Sequence, residues 1–205
     1  MKKAHPLAPY VPEAALDMLI KLIDGKPIRF VIEKHRRSKH GDYRPPLPGE
    51  QRHQITVNGS LNRYAFLITT LHEYAHYTHR VQVGKGQLQA HGAAWKRHFQ
   101  QVMQPFLQER VFPQPLLGVL ARHMQNPKAS STTDHELVKA LKAFDRPLPK
   151  DFCFLHELEE GVQFITEDGF QFLKGKEQRK RIICQRLPDG RMYKVHPFVV
   201  VKRIA

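Results

Sequence analysis

His72 and His76 stand four residues apart with Glu73 between them, in the stretch LHEYAHYTHR at 71–80. On a helix, residues four apart lie about 40° apart around the axis, one turn along. Both imidazoles then point the same way and can hold one metal ion, and imidazole nitrogen suits zinc. Glu73 lies about 100° round from His72, too far to serve as a third ligand on that face but well placed beside it. Zinc lowers the pKa of a coordinated water toward ~7, and a nearby carboxylate can take its proton as the water attacks a carbonyl. The H-E-x-x-H pattern is therefore two ligands and one offset base. Glu73 is also the only carboxylate between Gln51 and Gln108. Without a metal, the same residues read as solvated or hydrogen-bonded histidines on a partly buried helix face.

A catalytic zinc takes three protein ligands and keeps one position open. His79 lies on the same helix face, but side chains from three successive levels of one helix converge poorly on one ion about 2 Å from each. A metzincin arrangement needs glycine and histidine where this chain has His79 and Gln82. A thermolysin-like site needs a later glutamate, and the next glutamates are Glu109 and Glu136. His91 is the preferred third ligand. It opens the second helix of HGAAWK, after a loop long enough to fold back, with Gly92 allowing close backbone approach and Trp95 anchoring the helix. His79, His98 and Glu136 remain the alternatives.

These residues need elements to position them. PEAALDMLIKLIDG reads as a helix, with Leu16, Leu19, Ile20 and Ile23 on one stripe and Gly25 at its end. IRFVIEKH reads as a strand, RRSKHGDYRP as a turn around Gly41 with a strand near Tyr43, and HQITVNGS as a third strand. A long helix is expected from about Asn62 to Arg80, then a glycine-bearing loop, VGKGQLQA. The second helix runs from about His91 to Gln108, with Trp95, Phe99, Val102 and Phe106 on its apolar face. A short helix is expected around Leu116–Met124. Another follows in TTDHELVKALKAFD, started by a Thr133–Glu136 capping box, with Leu137, Ala140, Leu141 and Phe144 buried.

RPLPK at 146–150 marks a domain boundary, giving domains 1–148 and 149–205. Beyond it the period changes to two. FCFLHEL, VQFIT, FQFL, RIICQRL, MYKV and FVVVKRI, divided by Gly161, Asp168-Gly169, Gly175, Asp189-Gly190 and Pro197, read as an antiparallel module of about five strands. The fold class is α+β.

The chain has 205 residues, enough for one domain and a smaller one, with 33 Lys and Arg against 19 Asp and Glu. Such an excess favours a polyanionic partner, nucleic acid first. KGKEQRKRIICQRLPDGRMYKV interleaves bases with Tyr193 and offers such a surface, or simply a solvated one. Cys153 and Cys184 form no CxxC pair and read as reduced thiols. No apolar run of about 18 residues occurs and no secretory segment opens the chain, so no membrane span and a cytoplasmic location are expected.

Taken together, RRSKHGDYR at 36–44, ITVNGSL at 55–61, LITTLHEYAHYTH at 67–79 and HGAAWKRHF at 91–99 resemble the SprT-like zinc metallopeptidases, the family of the Spartan proteases. The likeness spans about residues 10–110. It implies a zincin-like domain of helices and a small sheet, one zinc on His72, His76 and His91, and Glu73 as catalytic base. For Spartan-type members it also implies cleavage of proteins on DNA, including crosslinked ones. The tail departs from the family pattern: it lacks the two CxxC pairs of a zinc ribbon, so no second zinc is expected. The expected activity is a DNA-associated zinc endopeptidase. The competing readings are a nucleic-acid-binding module with a structural or inactive metal site, and a zinc hydrolase acting on a non-protein amide.

Overall fold

The computed structural model describes residues 4–34, 39–84, 89–128 and 134–204. The polypeptide divides into two compact units, Met1–Asp145 and Arg146–Ala205, so the division falls at the first residue of RPLPK. The class is mixed α+β: among the described residues there are five helices and two sheets.

In the first unit, α1 (Glu13–Ile23) buries Ala15 and Leu19, with Val11 ahead of it on the same face. Leu16 and Ile23 of the expected stripe are only partly buried against that core. Strands β1 (Ile28–Glu33), β2 (Gly41–Arg44) and β3 (His53–Asn58) form a sheet in the order β1-β3-β2. β1 runs parallel to β3 and β2 antiparallel to it, which leaves β2 at an edge. Gly41, expected at a turn, is the first residue of β2 and pairs with Val57. Residues 36–38 of the quoted RRSKHGDYR segment, and 85–88 of the expected glycine-bearing loop, lie outside the described residues.

Helix α2 (Arg63–Val83) runs through the middle of this unit. Asn62 caps it: its side-chain oxygen accepts from the Ala65 N–H at 2.9 Å, satisfying one of the orphan donors of the first turn. The same side chain donates to the Leu141 carbonyl (2.9 Å) and to Asp145 (2.6 Å), tying the helix start to residues far along the chain. Phe66, Leu67, Leu71 and Ala75 are wholly buried. Each large apolar side chain so buried contributes roughly 1.5–3 kcal/mol, which holds the helix against the sheet and against α3 (Ala93–Gln108). α2 continues three residues past the expected Arg80 and stops at Gly84, whose φ of 75° carries the chain out of the helix.

Two short helices complete the unit, α4 (Leu116–Gln125) and α5 (His135–Lys142). The cap of α5 is Asp134, which accepts from the Leu137 N–H at 3.4 Å. Thr133, the expected capping residue, lies outside the described residues. Asp134 also meets Nδ1 of the buried His123 on α4 at 2.8 Å, so one carboxylate starts α5 and fastens it to α4. Burial works to raise the Asp134 pKa, but the His123 contact and the Leu137 N–H more than offset it and hold the carboxyl below its usual value.

The second unit is a six-stranded antiparallel sheet in the order β4-β9-β5-β6-β7-β8, one strand more than expected. The strands are β4 (Phe152–Phe154), β5 (Gln163–Thr166), β6 (Gln171–Gln178), β7 (Arg181–Arg186), β8 (Met192–Val195) and β9 (Val200–Arg203). Gly175 does not separate strands. It sits inside β6 where the register shifts, and a Cβ there would lie 2.7 Å from the Ile183 carbonyl oxygen. The missing side chain lets β7 approach, and β6 runs on to Gln178. Leu155, Phe164, Ile182, Cys184 and Val201 form the core. Among the described residues, no helix is long and apolar enough to cross a membrane.

Candidate metal centre

His72, Glu73 and His76 stand on α2, one turn in register as the spacing requires. His91 is not the first helical residue, as expected, but lies two residues before α3, with Gly92 as the N-cap. Its φ is 63°, a left-handed conformation that costs a non-glycine residue of order 1–3 kcal/mol. A Cβ on Gly92 would lie 3.2 Å from the Gln89 carbonyl oxygen and from Gln89 Cβ, tight contacts that favour glycine there. This tight turn returns the chain to α2 and directs His91 at its histidines.

The three imidazoles meet at their Nε2 atoms. His91 Nε2 is 3.0 Å from that of His76 and 3.2 Å from that of His72. Hydrogen bonding alone does not account for this convergence. Each neutral ring nitrogen offers either one N–H or one lone pair, so His91 Nε2 cannot be properly matched to both neighbours. One cation accepting three lone pairs satisfies all of them. Tetrahedral coordination at about 2.05 Å places ligand nitrogens about 3.3 Å apart, close to both separations. The group His72, His76 and His91 could therefore hold a metal ion. His79 and His98 lie outside it, their rings 5.4 Å apart, and Glu136 is exposed on the first turn of α5.

The electrostatics favour the ligand form. Burial, then the neighbouring imidazoles, hold the His72 pKa well below the ordinary histidine range. The same causes bring His76 down to about 3, and burial lowers His91. All three are neutral near pH 7 with lone pairs available, so protons compete weakly for the site.

Glu73 is 7% exposed and stands outside the histidine group. β2 crosses α2 directly above it. A Cβ on Gly41 would lie 2.6 Å from Thr69 Cγ2, 2.7 Å from Glu73 Oε1 and 2.9 Å from Glu73 Cγ. Only glycine permits that approach, so Gly41 is a site residue that reading it as a turn had missed. Gly41 and Tyr43 share one face of β2, the face turned toward α2. The Tyr43 ring stacks on His76, with centroids 6.1 Å apart and planes 13° apart. Its hydroxyl is 2.8 Å from His53 Nδ1. Burial, countered in part by Arg80, raises the Tyr43 phenol to about 12, so it keeps its proton at neutral pH. Burial and Arg80 lower His53. Of the side chains around the group that could donate to an oxyanion, Tyr43 stands beside a ligand, Tyr77 meets His53 edge-on at 4.9 Å, and His79 packs on His98.

Trp95 was expected as a helix anchor. It is wholly buried, and its ring centroid lies 4.6–5.1 Å from those of all three histidines. Its Nε1–H has no hydrogen-bond partner among the described residues, a cost of about 1–3 kcal/mol.

The second unit presents a different surface. A cleft of about 530 Å³ at the β6–β7 hairpin is lined by Gln178, Arg179, Lys180, Arg181, Ile183 and Lys194, with no acid among them. At the other end of β7, the Arg186 guanidinium lies 5.4 Å from both the Phe170 and Tyr193 ring centroids and is held by Asp189. Cys153 and Cys184 are free thiols, and burial pushes Cys184 up to about 11, away from reactivity.

No protein-family model matches this chain, and no curated protein or solved structure matches it either.

Proposed function

We propose that the chain is a zinc-dependent endopeptidase of the SprT-like type, with a zincin-like first unit, acting on proteins associated with nucleic acid. The observation that carries this reading is the convergence of the His72, His76 and His91 Nε2 atoms beside a buried carboxylate that is not one of them. Three imidazoles without a thiolate are the donor set of an open catalytic zinc site rather than of a closed structural one.

Zinc, when bound, supplies Lewis-acid polarisation of the scissile carbonyl and makes water acidic enough to attack near pH 7. Glu73 takes the proton of the attacking water and returns it to the leaving amine. Gly41 leaves Glu73 its place, because β2 can pass over the carboxylate without a side chain. In the tautomer with a proton on Nδ1, His53 donates to the Tyr43 oxygen. The phenol proton is then free to stabilise the oxyanion as the carbonyl becomes tetrahedral. Edge strand β2 leaves backbone groups available to an extended peptide beside the site.

The nucleic-acid part of the proposal is supported by the net charge of +14 and by the acid-free cleft at the β6–β7 hairpin. Casein and histone cleavage, each with and without single-stranded DNA, tests the whole reading. Zinc-loaded protein is expected to cut, to stop with a chelator, to recover with added zinc, and to cut faster with DNA. Salt-dependent DNA affinity with no cleavage under any condition would establish the competing reading, a binding module with a structural metal.

Tyr43→Phe separates oxyanion stabilisation from metal binding. Steady-state kinetics on a peptide substrate are expected to show kcat down about 100-fold, the scale for one lost oxyanion donor. Zinc content and KM should barely move. A kcat within threefold of wild type would take Tyr43 out of the mechanism.

A further inference from the structure

We infer that Trp95 is a positioning residue for the bound metal: its indole is the common wall that sets the orientation of all three imidazoles. This rests on the metal-holding part of the proposed function and not on its peptidase part.

A metal needs three lone pairs aimed at one point, and an imidazole turns easily about the bond joining it to its Cβ. Helix α2 fixes where His72 and His76 begin, not how their rings are rotated. His91 begins from a strained turn outside any helix. One rigid body touches all three. The indole centroid lies 4.7 Å from the His72 ring at 58°, 5.1 Å from His76 at 30° and 4.6 Å from His91 at 82°. The indole is itself backed by Phe99, with centroids 5.2 Å apart. Three rings at three inclinations against one plane give the non-parallel arrangement in which three Nε2 atoms can converge.

The unpartnered N–H sharpens the point. Among the described residues the indole nitrogen has no acceptor, so its polarity gains nothing from the chain. Phenylalanine would fill much of the space without that cost. What the indole adds is enough ring area to reach three imidazoles at once. Ring-orienting partners of metal ligands typically account for 10–100-fold in metal affinity.

Trp95 is the only tryptophan in the chain, so its emission reports on this wall alone. The full-length protein is titrated with Co²⁺, a paramagnetic quencher, and zinc affinity is measured by chelator competition. The variants are Trp95→Phe, Trp95→Leu and His91→Ala. One equivalent of Co²⁺ is expected to quench most of the wild-type emission and to leave His91→Ala bright. Zinc affinity is expected to fall about 10–100-fold in Trp95→Leu and by less in Trp95→Phe, whose metal-free melting temperature should stay close to wild type. The Co²⁺ visible spectrum of both variants should lose its tetrahedral intensity. A purely structural Trp95 would give the reverse: lower metal-free stability, with affinity and Co²⁺ spectrum intact. Unchanged affinity in a folded Trp95→Phe, or no quenching by one bound Co²⁺ in the wild type, would overturn the inference. Neither measurement uses a substrate, so an absence of proteolysis would count against the peptidase reading alone.

Discussion

The Glu73→Gln variant is expected to keep its zinc and lose about 10³–10⁴ of its kcat/KM, the upper range for general-base catalysis. The amide matches the carboxylate in shape, so it fits the space beneath Gly41, where Glu73 Oε1 and Cγ already sit within 3 Å of the missing Cβ. What it lacks is a site that accepts a proton from water and holds it for the leaving amine. Because Glu73 lies outside the three-histidine group, the substitution removes no ligand. Metal analysis, a melting curve and a peptide assay on one preparation make the comparison. Full activity at unchanged zinc would exclude Glu73 as the base. Lost activity with lost zinc would show instead that Glu73 supports the metal.

The histidine spacing was legible because helical geometry alone decides it. Residues 72 and 76 must share a face wherever their helix lies. His91 was legible for a weaker reason: it is a histidine before a glycine, at the start of an amphipathic helix. Its left-handed conformation was not readable, because a turn outside a helix leaves no periodic trace. Gly41 was misread because glycine marks turns far more often than close crossings, and only the course of β2 over α2 shows which applies. The same ambiguity recurs at Gly175, which looked like a strand separator and is a point of close approach within β6. His53 carried no signal. It opens β3 two residues ahead of the β-branched run at 55–57, and its partner Tyr43 is ten residues away on the paired strand. Trp95 was read as a core anchor, which it is. Its contact with three ligands depends on how α3 packs against α2, and that is a tertiary fact.

The second large effect is expected from His91→Ala. Structural zinc sites bind with roughly 10–16 kcal/mol spread over four ligands, or about 2.5–4 kcal/mol for each. Losing one of three imidazoles should therefore weaken zinc binding about 10²–10³-fold. Linkage gives a second measurement. A ligand that binds only the folded state at 100 times its Kd stabilises by about 2.7 kcal/mol. At about 2–4 °C per kcal/mol for a domain of this size, zinc should raise the wild-type melting temperature by roughly 5–10 °C and move that of His91→Ala hardly at all. The turn adds a discriminating control. His91 holds φ at 63°, a region that glycine enters freely and alanine does not. Metal-free His91→Gly should therefore melt at or above the wild-type temperature, although it binds zinc as poorly as His91→Ala. That pattern would mean that backbone strain is maintained at this position in order to aim an imidazole. Equal zinc in wild type and both variants would force a different third ligand. His79 or His98 would then have to leave their mutual packing, a rearrangement large enough to remove the geometric basis of the metal site.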